Sequence, residues 1–113
     1  MSVYDVYASK PVKTGRTFLG KDEWLIVLDI SALPNATTKA VSIPIEPYYY
    51  RIDPTCSFAY GPASSYPIPY VDLERTKNGI NVRIDNYGKR LVVSTAANWS
   101  TYSAIIGILY TEK

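Results

Sequence analysis

The chain contains no histidine and a single cysteine, Cys56, so the side chains behind most nucleophilic and metal chemistry are missing. Ser-His-Asp and Cys-His catalysis and His-ligated metals are excluded. One cysteine can form neither an internal disulfide nor a Cys-cluster zinc site. With no histidine and no basic cluster in sequence to activate it, Cys56 is expected as a free, structural thiol. Glycoside hydrolysis needs two carboxylates across a cleft, and the candidate pair is Asp72 with Glu74. Those two fall on one outward strand face, where charged rows normally meet water, and such a face is no cleft. The inventory therefore points away from an enzyme and calls for no cofactor and no metal.

A second kind of chemistry is recognition. From Pro47 to Tyr70 the chain carries six of its eleven tyrosines and five of its eight prolines. Tyrosine supplies a large contact area at low rotamer entropy with a hydroxyl at its tip, and mixtures of Tyr, Ser and Gly suit recognition loops. Aromatic faces also stack on sugar rings. Tyr48, Tyr49, Tyr50, Tyr60, Tyr66 and Tyr70 are thus the candidate binding residues, for a protein partner or a surface glycan. The plainer alternative packs these rings over the open ends of a sandwich with their hydroxyls in water. Trp24 and Trp99 are expected as core or interface aromatics. The Asn35-Ala36-Thr37 and Asn98-Trp99-Ser100 triplets match a glycosylation pattern but are read as turns.

The elements that must position these residues are strands. Apolar residues alternate at period two in short segments separated by Pro, Gly, Asn and Asp, and helical spacing is hard to find. From Glu23 to Ile30, Trp24, Ile26, Leu28 and Ile30 share one face while Leu25 and Val27 occupy the other. From Thr101 to Thr111, Tyr102, Ala104, Ile106, Ile108 and Tyr110 oppose Ile105 and Leu109. Both strands are apolar on both sides, so each is expected to be central or covered by a second copy, and a dimer or trimer follows as an expectation. Val41 to Ile45, beside Pro44 and Pro47, reads as an edge strand. The Pro47 to Pro69 region reads as a long irregular connection with one short strand near Thr55 to Tyr60.

The clearest register lies in the C-terminal third. Asn78-Gly79 is a strong hairpin signal between Val71–Lys77 and Ile80–Asp85, pairing Leu73 with Ile84 and Glu74 with Arg83. A second turn at Asn86-Tyr87-Gly88 pairs Ile84 with Leu91, Val82 with Val93 and Asp85 with Arg90. This keeps Leu73, Val82, Ile84 and Val93 inward and charges outward. A three- or four-residue loop there, with Gly88 left-handed, is the variant that spares Tyr87 a positive φ. Adding segments near Ser2 to Tyr7 and Thr14 to Leu19 predicts an all-β fold, an antiparallel two-sheet β-sandwich of roughly seven to nine strands, as one domain over residues 1–113.

With 113 residues, 47% of them hydrophobic, the chain can bury one core. Twelve basic against ten acidic residues, scattered along the chain, leave a net charge of +2 and no footprint for nucleic acid or an anionic membrane. The start, MSVYDVYASK, lacks the apolar stretch of a signal peptide, and no apolar run reaches the roughly 20 residues of a membrane span.

The ending then resembles a known class. A Val- and Ile-rich meander, Asn98-Trp99-Ser100-Thr101, and a last strand finishing Ile108-Leu109-Tyr110-Thr111-Glu112-Lys113 are similar to the endings of small tail, baseplate and receptor-binding proteins of phages infecting Gram-positive bacteria. The resemblance covers about the last third of the chain. It implies a β-sandwich, frequently oligomeric, that works in host adhesion or assembly, located in the host cytoplasm or the virion. Adhesins of this kind carry an attachment region, whereas this sandwich begins almost at Met1, so a stand-alone accessory role is a further expectation.

Overall fold

The computed structural model describes residues 10–69 and 79–112, and these form eight strands and no helix. In chain order they are β1 (Val12–Phe18), β2 (Lys21–Ala32), β3 (Thr38–Ser42), β4 (Pro47–Tyr60), β5 (Ser65–Pro67), β6 (Ile80–Asp85), β7 (Arg90–Thr95) and β8 (Ser103–Glu112). Two antiparallel sheets result, one ordered β1-β2-β8-β4-β5 and the other β3-β7-β6. No described helix is long and apolar enough to cross a membrane.

The two strands that are apolar on both sides occupy inner positions and pair with each other, Trp24 opposite Tyr110, Ile26 opposite Ile108 and Leu28 opposite Ile106. Their inner faces join Ile80, Leu91 and Val93 of the smaller sheet, together with Leu33, Ile43 and Trp99, in the main core between the sheets. Lys39 of β3 ties the layers together, donating from Nζ to the carbonyls of Ile30 (2.6 Å) and Ala32 (2.9 Å) at the end of β2.

The outer face of the larger sheet is sealed separately. Leu25, Val27, Cys56, Ile105 and Leu109 form a second buried cluster with Val12 and Phe58 against it. The cover comes from β4, whose ladder with β8 jumps from Asp53–Gly107 to Phe58–Ile105, so Pro54 to Ser57 arch over β8. Gly107 allows the close approach: a Cβ there would lie 2.7 Å from Cβ of Cys56. The Gly107 N–H donates to Oγ of Ser57 (3.0 Å), which donates to the Asp53 carbonyl (2.7 Å). Since Leu25, Val27, Ile105 and Leu109 are all buried within one chain, their apolarity no longer calls for a second copy.

The registers of β6 and β7 match the reading from sequence, with Ile84 opposite Leu91, Val82 opposite Val93 and Asp85 opposite Arg90. Leu91 and Val93 are buried, Val82 and Ile84 are half-buried, and Arg83 is exposed. The connecting loop has four residues, yet Tyr87 takes a positive φ of 58° along with Asn86 and Gly88. The strand expected over Val71 to Lys77, with Leu73, Asp72 and Glu74, and that over Ser2 to Tyr7 lie outside the described residues. Among the described residues β3 is an edge strand as expected, paired only with β7 and ending before Pro44.

One expectation is corrected. Pro47 to Tyr60 is not an irregular connection but the fourteen-residue strand β4. Its two prolines are tolerated because Pro47 is the first strand residue and Pro54 stands in the arch, so neither has to donate to the ladder.

Candidate functional site

The six candidate tyrosines do not form one surface. Tyr48, Tyr49 and Tyr50 sit at the start of β4, and Tyr60 at its end. Tyr50 pairs with Tyr110 and Tyr60 with Ser103, seven residues apart on β8, or about 23 Å at strand rise. Tyr66, on β5, is half-buried in an aromatic group with Trp99 (5.2 Å between ring centres) and Tyr102 (5.8 Å), which belongs to the main core. Tyr50 lies beside Gly88, where a Cβ would run into it and Pro47, and is as exposed as Tyr49. Tyr70 lies outside the described residues. Three exposed tyrosines, Tyr48, Tyr49 and Tyr50, thus gather at the first end of β4, with exposed Tyr60 alone at the other.

What joins them there was invisible in the spacing of the tyrosines. Phe18 pairs with Lys21 across a two-residue turn, Leu19-Gly20, with φ of 53° and 81°. Positive φ at both positions is the type I′ pattern, which favours Asn or Gly first. Leucine there is strained, and Leu19 is 65% exposed, the largest exposure of an aliphatic side chain among the exposed large hydrophobics. Phe18, next to it, meets the Tyr49 ring edge-on at 5.7 Å, and Tyr49 meets Tyr48 edge-on at 4.6 Å. Lys21 stands over the Tyr48 ring (5.4 Å) and Arg51 over the Phe18 ring (5.6 Å). The phenol of Tyr49 is pushed up in pKa, chiefly by its neighbour Tyr48.

Beneath the aromatics lies a charged anchor. Glu23, only 4% exposed, stands in the outward row of β2 between Lys21 and Leu25. Its Oε1 accepts from Nε of Arg16 (2.9 Å) and from Thr14 (3.0 Å), and its Oε2 from Arg51 (3.1 Å). Arg51 reaches it because β4 and β2 flank β8, with both Arg51 and Leu25 opposite Leu109. Phe18, Tyr49, Tyr50, Arg51, Leu109, Tyr110 and Thr111 close around Glu23 to leave a hollow of about 180 Å³. Burying one carboxylate under two half-exposed guanidiniums fixes both cations in place.

A larger open groove of about 750 Å³ lies at the mouth between the sheets, floored by Trp24 and Tyr110 and rimmed by Pro44, Glu46 and Lys89. The rim is closed by a Lys89–Glu46 ion pair of 2.8 Å. Burial, aided by Glu112, pushes the Tyr110 phenol up to about 12. Cys56 is a buried free thiol whose pKa is raised first by burial and then by Asp53. Among the described residues no group of three His, Cys, Asp or Glu side chains could hold a metal ion. The paired asparagines of the two glycosylation-like triplets face each other in an isolated bridge, Asn35 with Asn98.

Compared with protein-family models, curated proteins and solved structures, the chain matches none.

Proposed function

We propose that the protein is a non-enzymatic β-sandwich of the phage tail, baseplate or receptor-binding type, acting by protein–protein contact in assembly, host interaction or an accessory role. The contact surface is the patch made by the β1–β2 turn and the start of β4. The observation that carries this reading is Leu19: a large apolar side chain held in water on a strained backbone position, beside exposed Phe18, Tyr48 and Tyr49. Strain that persists where a better residue is available points to use, and exposed apolar side chains grouped with aromatics are typical of the centre of a protein contact. The resemblance of the chain's ending supplies the phage context.

The rival reading, a carbohydrate-binding module with the Tyr48 to Tyr70 region as sugar platform, has less support. The tyrosines are split between two ends of β4, and Tyr48 and Tyr49 stand at 81° to each other. Lys21 and Arg51 also cover one face each of Tyr48 and Phe18. A photo-crosslinking residue at position 48 tests the choice in cells making the whole set of phage proteins. Adducts of one defined protein are expected at position 48 and none at position 60. Absence of any protein adduct, with clear binding on a glycan array, would transfer the assignment to sugar recognition.

A further inference from the structure

We infer that the protein pairs with a second copy of itself about a twofold axis, the Tyr87 ring of each copy entering the groove between the sheets of the other. The inference stands apart from the contact assigned to the Leu19–Tyr48 patch and does not rest on it.

The knob is the turn between β6 and β7. Tyr87 is 84% exposed, more than any other large hydrophobic side chain among the described residues. It holds φ of 58° between Asn86 at 54° and Gly88 at 82°. Asparagine and glycine suit that region and a bulky aromatic does not, so such an outlier, kept in water, points to use. The turn beneath it is fixed. Gly88 is buried against Pro47 and Tyr50 with no room for a Cβ. The Lys89 carbonyl accepts from the Ile43 N–H (2.8 Å), and Lys89 Nζ donates to Glu46 (2.8 Å). A ring on a rigid base loses little freedom on docking.

The hole lies beside the knob. Asn86 and Lys89, which bracket Tyr87 and Gly88, line the groove of about 750 Å³ together with Trp24, Pro44, Ile45 and Tyr110. Aromatic, prolyl and aliphatic walls suit a phenol ring, whose hydroxyl can stay at the polar rim. Tyr87 leaves its own groove unfilled, since its ring stands in water. A knob and a hole side by side on one face are self-complementary: a twofold rotation seats both knobs in both holes and leaves none over, so the assembly closes as a dimer.

The charges let this face meet itself. Lys89 is paired with Glu46, and Glu112 lines both the groove and an adjoining hollow that holds Lys21 and the Lys13–Asp22 pair (3.4 Å). At the foot of the turn Asp85 binds Arg90 (2.7 Å), with Arg83 at 3.9 Å. Both signs interleave, so no block of one sign opposes its own copy. Size sets the strength. A tyrosine buries about 150–250 Å², so two rings and the walls they cover come to roughly 600–1,000 Å², the range of weak, transient contacts.

Sedimentation velocity of the purified protein from about 5 to 500 μM should show monomer giving way to dimer. Tyr87→Gly removes the ring and suits the backbone, and Ser42→Trp fills the groove from an exposed position. Each should keep its β-sheet circular dichroism and weaken dimerisation by about tenfold or more. In the otherwise unchanged protein, a photo-crosslinking phenylalanine analogue at position 87 should give a covalent dimer whose adducts map to Trp24 or to Ile43 through Glu46 of the second copy. A monomer at every concentration, dimerisation untouched by either folded variant, adducts that map elsewhere, or species that grow beyond a dimer would overturn the inference.

Discussion

Leu19→Asn is expected to make the protein more stable and less able to bind. Leu19 adopts φ of 53° ahead of Gly20 at 81°, and an L residue with a bulky side chain in this region costs roughly 1–2 kcal/mol. Asparagine tolerates it and restores the Asn-Gly pair that type I′ turns favour. Against this stands the contact Leu19 does make. At 65% exposure it buries about a third of its surface, worth roughly 0.5–1 kcal/mol of the 1.5–3 for a fully buried leucine. The net expectation is a gain of about 0.5–1 kcal/mol. For 113 residues the unfolding entropy near the midpoint is about 0.24 kcal/mol/K, so Tm should rise by about 2–4 °C. Thermal and urea unfolding followed by circular dichroism measure this, with crosslinking at position 48 in the same variant reporting contact. A loss of stability beyond about 0.5 kcal/mol would show that Leu19 is packing rather than display, and the argument from strain to use would fall.

Other expectations follow from the same geometry. Gly107→Ala drives a Cβ to 2.7 Å from that of Cys56, so overpacking should cost about 1–3 kcal/mol, less the roughly 0.5–1 gained on leaving glycine. Cys56→Gly should relieve the clash and Cys56→Ala should not, which unfolding of the double variants decides. Tyr66→Ala, in the aromatic group with Trp99 and Tyr102, should cost about 2–3 kcal/mol, against less than about 1 for exposed Tyr48→Ala. The phenol of Tyr110, raised to about 12, ionises later in the folded than in the unfolded chain. Stability is therefore intact below about pH 10 and declines as pH rises toward 12, and ultraviolet titration should find the Tyr110 phenol ionising near 12, above the ordinary tyrosine range. The thiol of Cys56, buried and raised in pKa, should react with alkylating reagents only on unfolding.

The sheet framework was readable wherever both partners of a strand pair carried a pattern. Leu25 and Val27 against Trp24, Ile26 and Leu28 placed β2 inside a sheet, and charge matching of Asp85 with Arg90, joined by bonds of 2.7 and 2.9 Å, set the β6–β7 register. Strand β4 was hidden because Pro47, Pro54 and three successive tyrosines break the alternation, while the features that excuse the prolines, a strand end and an arch over Gly107, exist only in three dimensions. The site was less legible still. Phe18, Glu23, Tyr49 and Arg51 meet through the order β1-β2-β8-β4, which no local spacing encodes. Two signals were nevertheless present in the chain: Leu19-Gly20 as a turn with the wrong first residue, and Thr14, Arg16 and Glu23 placed to meet across it. The tyrosine count overstated the unity of its segment, since Tyr66 serves the core.

The central claim is that the Leu19–Tyr48 patch is a contact surface. Its most direct measurement is partner capture by the Phe18→Ser, Leu19→Ser, Tyr48→Ser variant beside the unchanged protein, using the partner identified by crosslinking at position 48. Leu19 and Tyr48 are mostly exposed while Phe18 still buries nearly two-thirds of its surface, so the variant should keep its β-sheet circular dichroism and unfold about 2–4 kcal/mol below the parent. The account predicts that binding falls by about 2 kcal/mol or more, thirtyfold or greater, as for removal of interface anchors. A folded variant that binds the partner as tightly as the parent would contradict it.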